Sequence, residues 1–197
     1  MKRPLLLLAV LFVFLAPLPS AYAAPITYVA MLSGSAEVPA NASPGTGNAM
    51  VIIDTVAHTM QVDVIFADLI GPVTASHIHC CTAVPFTGNV GVATMLPTFA
   101  GFPSGVHAGT YSHVFDLTLD PSFNPAFRTA HGGTAAGAEA ALAAGMIDGQ
   151  AYLNIHTSTY PGGEIRGFLT PAVPEPASLL LFGTGLVGLR AWRKRRG

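Results

Sequence analysis

Alternation of apolar and polar positions is the main structural signal along this chain. Over residues 59–69, Met60, Val62, Val64 and Phe66 fall on one face and Gln61 and Asp63 on the other, which predicts a half-buried antiparallel strand. Residues 48–56 form a second β-rich run, and Ala57-His58 between the two runs predicts a hairpin with His58 solvated at its turn. Further strands are predicted at residues 26–32, within 73–82 and at 90–96, and at 111–119, where Tyr111, His113 and Phe115 share a face. A last pair, 150–157 and 164–169, is joined by a loop around Pro161-Gly162-Gly163. Residues 121–133 read as irregular. The single predicted helix, 134–144, has Thr134 as its cap, an alanine-rich body and Gly145 as its end. Short strands separated by turns predict an all-β fold, an antiparallel β-sandwich of immunoglobulin or superoxide-dismutase type with one short helix.

Both ends depart from this pattern. Lys2 and Arg3 precede an apolar run over residues 5–16, and Ala21-Tyr22-Ala23 follows as a small-residue cleavage site. Residues 1–23 therefore read as a secretory signal peptide, and residues 24–172 as the domain. At the other end, Pro174-Glu175-Pro176 leads into an apolar stretch over residues 177–189 and then Arg190, Arg193, Lys194, Arg195 and Arg196. The apolar stretch is short for a bilayer core, which takes about 20 residues, and the basic cluster is expected to stay cytoplasmic. Residues 173–197 resemble the PEP-CTERM sorting signal. That resemblance implies transient membrane anchoring through residues 177–192 and recognition by an exosortase-type enzyme. It further implies cleavage near Pro174–Pro176 and delivery to the cell surface or an exopolysaccharide matrix.

Without its two ends the chain is strongly acidic. Only Arg128 and Arg166 remain of the basic residues, against nine carboxylates, so the domain carries 2 − 9 = −7 with neutral histidines. It has no lysine. A nucleic-acid ligand needs a basic footprint to neutralise phosphates, and none exists here. Cations, neutral glycans and surface proteins remain as partner classes.

The candidate chemistry gathers on two strands. His77 and His79 share one face of the Val73–Thr82 segment, because strand side chains alternate, and Asn154 and His156 share a face of the 150–157 run. If these strands pair, three imidazoles meet, which is a ligand set for copper or zinc. The alternative is a polar layer of hydrogen-bonded histidines. Cys80-Cys81, the only cysteines, follow at once. In an oxidising compartment they are expected to form a vicinal disulfide; free thiols, soft metal ligands beside His77 and His79, and an intermolecular bridge are the other readings. Glu164 and Arg166 share a face of the last strand and are expected to form a structural ion pair. No nucleophile elbow or positioned acid pair is present, so no catalytic residue is assigned.

Three ordered motifs carry a family resemblance. Glu37-Val38-Pro39 after the first strand, then His77-Ile78-His79, and finally Asn154-Ile155-His156-Thr157 with Pro161-Gly162-Gly163-Glu164-Ile165-Arg166-Gly167 are similar to the CHRD domain. The likeness implies an extracytoplasmic β-rich module without an assigned activity. The expectation is an exported, non-enzymatic surface or matrix module that binds a partner or glycan. Its alternative is a copper- or zinc-binding protein using His77, His79, His156, Cys80 and Cys81, or a metalloenzyme built on that site.

Overall fold

The computed structural model describes residues 24–172. Its strands are β1 (Ile26–Ser33), β2 (Thr46–Asp54), β3 (Thr59–Ala67), β4 (Val73–His79), β5 (Gly109–Asp116), β6 (Tyr152–Thr157), β7 (Ile165–Phe168) and β8 (Thr170–Pro171). All pair antiparallel in one eight-stranded sheet of order β4-β6-β7-β1-β2-β3-β5, with β8 added alongside β1. The β2–β3 hairpin is in continuous register from Thr46↔Ala67 to Asp54↔Thr59. Asp54 Oδ1 starts its turn by accepting from the backbone N–H of Val56 and Ala57 at 2.9 and 2.8 Å.

The predicted alternation sets the inside of this sheet. Met60, Val62, Val64 and Phe66 are buried, as are Tyr28, Leu32, Val51, Ile53, Ile78, Leu153, Ile155 and Ile165, and all belong to one core. The sheet curls so that β4-β6-β7 packs over the remaining strands as an antiparallel β-sandwich. Burying each large apolar side chain contributes about 1.5–3 kcal/mol. The two sheet edges approach each other, since the backbone N–H of Leu69 and Val73 donate to His107 and Val106 and that of Gly105 donates to Val73. On the outer face the two halves differ. Val29, Met31, Met50 and Ile65 on β1–β3 stay exposed, whereas the outer face of β4-β6-β7 is buried under loops.

Residues 90–96 do not form a regular strand. They and the residues after them fold back along the free edge of β4, where Ala93, Thr94 and Phe99 donate backbone N–H groups to Ile78 and Ser76. The Thr94 and Thr98 hydroxyls accept from Ile78 and Ser76 N–H. Side-chain hydroxyls thus replace part of the ladder, which protects the edge without a strand.

Two α-helices are present among the described residues. α1 (Pro125–Ala130) occupies part of the segment read as irregular; Asn124 caps it by accepting from Ala126 N–H, and Pro125 supplies the first helical φ. α2 (Ala135–Ile147) is capped by Thr134 as expected. It runs past Gly145 to Ile147, and that glycine sits against the sulfurs of Cys80 and Cys81, which a Cβ would strike. His58, read as solvated, bonds through Nδ1 to the buried Glu139 of α2 at 2.8 Å.

Candidate metal centre

The register of β4 on β6 sets Ala75 opposite His156, His77 opposite Asn154 and His79 opposite Tyr152. Because Ile78, Leu153 and Ile155 take the core face, the three histidines take the outer one. Each ring offers a nitrogen, and these three atoms lie within 4.8 Å of one another. Ring centroids are 5.3 Å apart for His77 and His156, 5.7 Å for His79 and His156, and 6.0 Å for His77 and His79. Cross-strand pairing therefore brings together every histidine that the sequence nominated.

The covering loops orient the rings. His77 Nε2 meets the Pro97 carbonyl at 2.5 Å, His79 Nδ1 that of Val90 at 2.8 Å, and His156 Nδ1 that of Pro161 at 3.0 Å. A carbonyl only accepts, so each of these nitrogens carries the ring proton and donates it. The remaining nitrogens, His77 Nδ1, His79 Nε2 and His156 Nε2, are buried acceptors that no protein donor reaches. Leaving such a group unsatisfied costs about 1–3 kcal/mol. One water has only two protons to donate, so it cannot serve all three lone pairs. A cation can. Three imidazole nitrogens on one ion at about 2.0–2.1 Å stand roughly 3.3–3.6 Å apart, so small ring movements close the set.

Electrostatics keeps the rings neutral, the form that binds metal. Burial holds His79 down to about 4, with the neighbouring His156 and His77 and then Arg166 adding to the effect against the Val90 hydrogen bond. Burial also lowers His77 and His156, opposed by their carbonyl partners.

Beside the imidazoles lies a second buried polar group. Arg166 and Phe168 on β7 face Asn154 and Tyr152 on β6. The Arg166 guanidinium donates to the Ala36 carbonyl at 2.5 Å, the Gly88 carbonyl at 3.1 Å and Asn89 Oδ1 at 2.6 Å, and lies 4.7 Å from the Tyr152 ring centroid. Its ionic partner is Glu37, with Nε to Oε2 at 3.9 Å. The expected Glu164–Arg166 pair is therefore corrected. β7 begins at Ile165, so Glu164 precedes the strand. Its carboxylate accepts from Ser43, Thr157 and the N–H of Ile70 and Gly71. Burial acts to raise the Glu164 pKa, and these four hydrogen bonds together hold it below the usual carboxylate range. Burial pushes Glu37 up to about 7, despite Arg166 and the Asn154 amide. Gly163, at φ 132°, leaves room there for Asn154 and Glu37, which a Cβ would strike.

Cys80 and Cys81 are joined to each other, and no described cysteine is free. Cys80 follows His79 and so points into the core, where the disulfide packs on Gly145 of α2. The reading of these cysteines as thiolate ligands beside the histidines is corrected on that ground. The expected signal peptide and tail anchor, with Pro174, Glu175 and Pro176, lie outside the described residues. No described helix is long and apolar enough to cross a membrane.

Fold and site thus define a β-sandwich module with an oriented imidazole cluster on its covered outer face. The chain belongs to the CHRD family: it matches the CHRD domain over residues 28–169. Residues 172–196 match the PEP-CTERM protein-sorting motif, which marks an exported protein sorted to the cell envelope or surface and processed by an exosortase. No curated protein and no solved structure matches the chain.

Proposed function

We propose that this exported CHRD protein is a non-enzymatic envelope module that binds one transition-metal ion, copper or zinc, through His77, His79 and His156. One observation carries this reading. Three histidines bring ring nitrogens within 4.8 Å of one another, and each ring keeps one buried nitrogen without a protein partner while its other nitrogen meets a backbone carbonyl. A merely structural histidine layer would bond both nitrogens of its rings inside the protein. Glu37 and Asn154 stand beside the set rather than in it, and no nucleophilic side chain joins the cluster. We read the module as a binder of the ion rather than an enzyme.

Sorting determines where the ion is held. After removal of the tail, the module resides at the cell surface or in the surrounding exopolysaccharide matrix, attached to glycan or to another surface protein. Elemental analysis of the untagged protein tests the metal reading. The expected result is one copper or zinc per chain, lost in a His77→Ala/His79→Ala variant that keeps its β-sheet circular dichroism. Metal-free wild type that takes up neither ion on addition would refute it.

A further inference from the structure

We propose that the ion at this site is copper in its +1 state, an inference that rests on the metal reading above and concerns which ion the site selects. The first argument is charge. Three neutral imidazoles bring no negative charge to whatever they hold. The nearby carboxylates are not part of the cluster: Glu37 Oε2 lies 3.9 Å from Arg166 and 3.5 Å from the Asn154 amide, and its Oε1, without a partner, is not among the grouped ligand atoms. Glu164 accepts from four donors, and both cysteine sulfurs are tied in the disulfide.

A fixed cation lies close to the ligands as well. The Tyr152 ring is stacked on His79 at 4.8 Å between centroids, and the Arg166 guanidinium lies 4.7 Å from that same ring. Since β4 and β7 flank β6 on opposite sides, one aromatic ring separates a ligand histidine from a permanent positive charge. An ionised Glu37 at most cancels Arg166, so the pair leaves no negative charge over. An arriving ion is therefore uncompensated, and the Born cost of burial grows with the square of its charge, about fourfold from +1 to +2.

Coordination number points the same way. Among the described residues the cluster supplies three imidazoles and no fourth histidine, cysteine or carboxylate. Zinc on three imidazoles has to recruit a fourth ligand such as water into the covered layer, whereas filled-shell cuprous copper is satisfied by three. Uptake needs no electron and releases no proton, because the ring protons stay on the nitrogens bonded to Pro97, Val90 and Pro161.

The test uses the full-length chain in detergent, stripped of metal and titrated in two arms. Cuprous ion is added without oxygen against a chromogenic chelator, and zinc is added against its own competitor. We expect one cuprous ion per chain, retained against a chelator that removes zinc. Glu37→Gln, which deletes the nearby carboxylate at almost constant shape, should weaken zinc about tenfold and cuprous ion less than about threefold. Zinc held as firmly as cuprous ion in the wild type overturns the inference and leaves the metal reading standing. Equal weakening of both ions by Glu37→Gln overturns the charge argument. Uptake of neither ion removes both readings. The wild-type comparison decides by itself if the variant does not fold.

Discussion

His77 and His156, far apart in the chain, lie with ring centroids 5.3 Å apart and an interplanar angle of 64°. Neither ring is placed by its own strand alone. The β4–β6 register brings the two together, and the carbonyls of Pro97 and Pro161, from two different loops, turn them. The site is a product of sheet topology and loop backbone in equal measure.

The Arg166 network is the first place to test that dependence. Arg166→Ala leaves Glu37 buried beside no cation and frees the Ala36 and Gly88 carbonyls and the Asn89 side chain. Breaking a buried pair by removing one partner costs about 3–5 kcal/mol. Urea denaturation should show a loss of that size. Arg166→Lys should recover little of it, because an ammonium lacks the planar fork that reaches several acceptors.

Gly145 gives a second prediction. Alanine is the better helix former by about 1 kcal/mol, yet its Cβ would press on both sulfurs of the disulfide. Gly145→Ala should therefore destabilise, by about 1–3 kcal/mol as overpacking does. In a Cys80→Ala/Cys81→Ala background the same change should be neutral or stabilising. An equal cost in both backgrounds would contradict the packing described here.

The pH dependence of the metal-free protein follows from the same layer. His79 is lowered from 6.5 to about 4, so the unfolded chain binds the extra proton first and stability falls as pH drops through that window. His77 and His156, also lowered, act in the same direction. Glu37, raised from 4.5 to about 7, opposes them: its contribution is greatest at low pH and is lost as pH rises through that range. The His79 and Glu37 shifts are of equal size and opposite effect, so the lowered His77 and His156 set the sign, and the urea midpoint should fall from pH 7 to pH 5. His79→Gln should flatten that fall.

Sorting is tested by mass. Intact mass of the protein recovered from the cell surface should end near Pro174–Pro176 and lack the Arg-rich terminus. Recovery of Arg190 through Arg196 in that fraction would contradict removal of the tail.

Strand positions were legible because a half-buried strand writes its faces into the sequence with period two. Met60 to Phe66, and His77 with His79, are instances. The meeting of His156 with that pair was legible only as far as strand pairing was assumed. What could not be read is the contribution of backbone. The carbonyls of Val90, Pro97 and Pro161 orient the rings, and a carbonyl has no residue signature. The partner of Arg166 was misassigned for a related reason. Alternation nominated its neighbour Glu164, whereas the fold delivers Glu37 from the loop after β1. α1 had left a local signal, Asn124-Pro125, a cap followed by a proline at the first helical position.

X-ray absorption at the metal edge of the loaded protein tests the central claim most directly. One ion is expected, with three nitrogen neighbours at about 2.0–2.1 Å, imidazole multiple scattering and no sulfur shell. A sulfur shell near about 2.3 Å, or a spectrum without imidazole scattering, would contradict it.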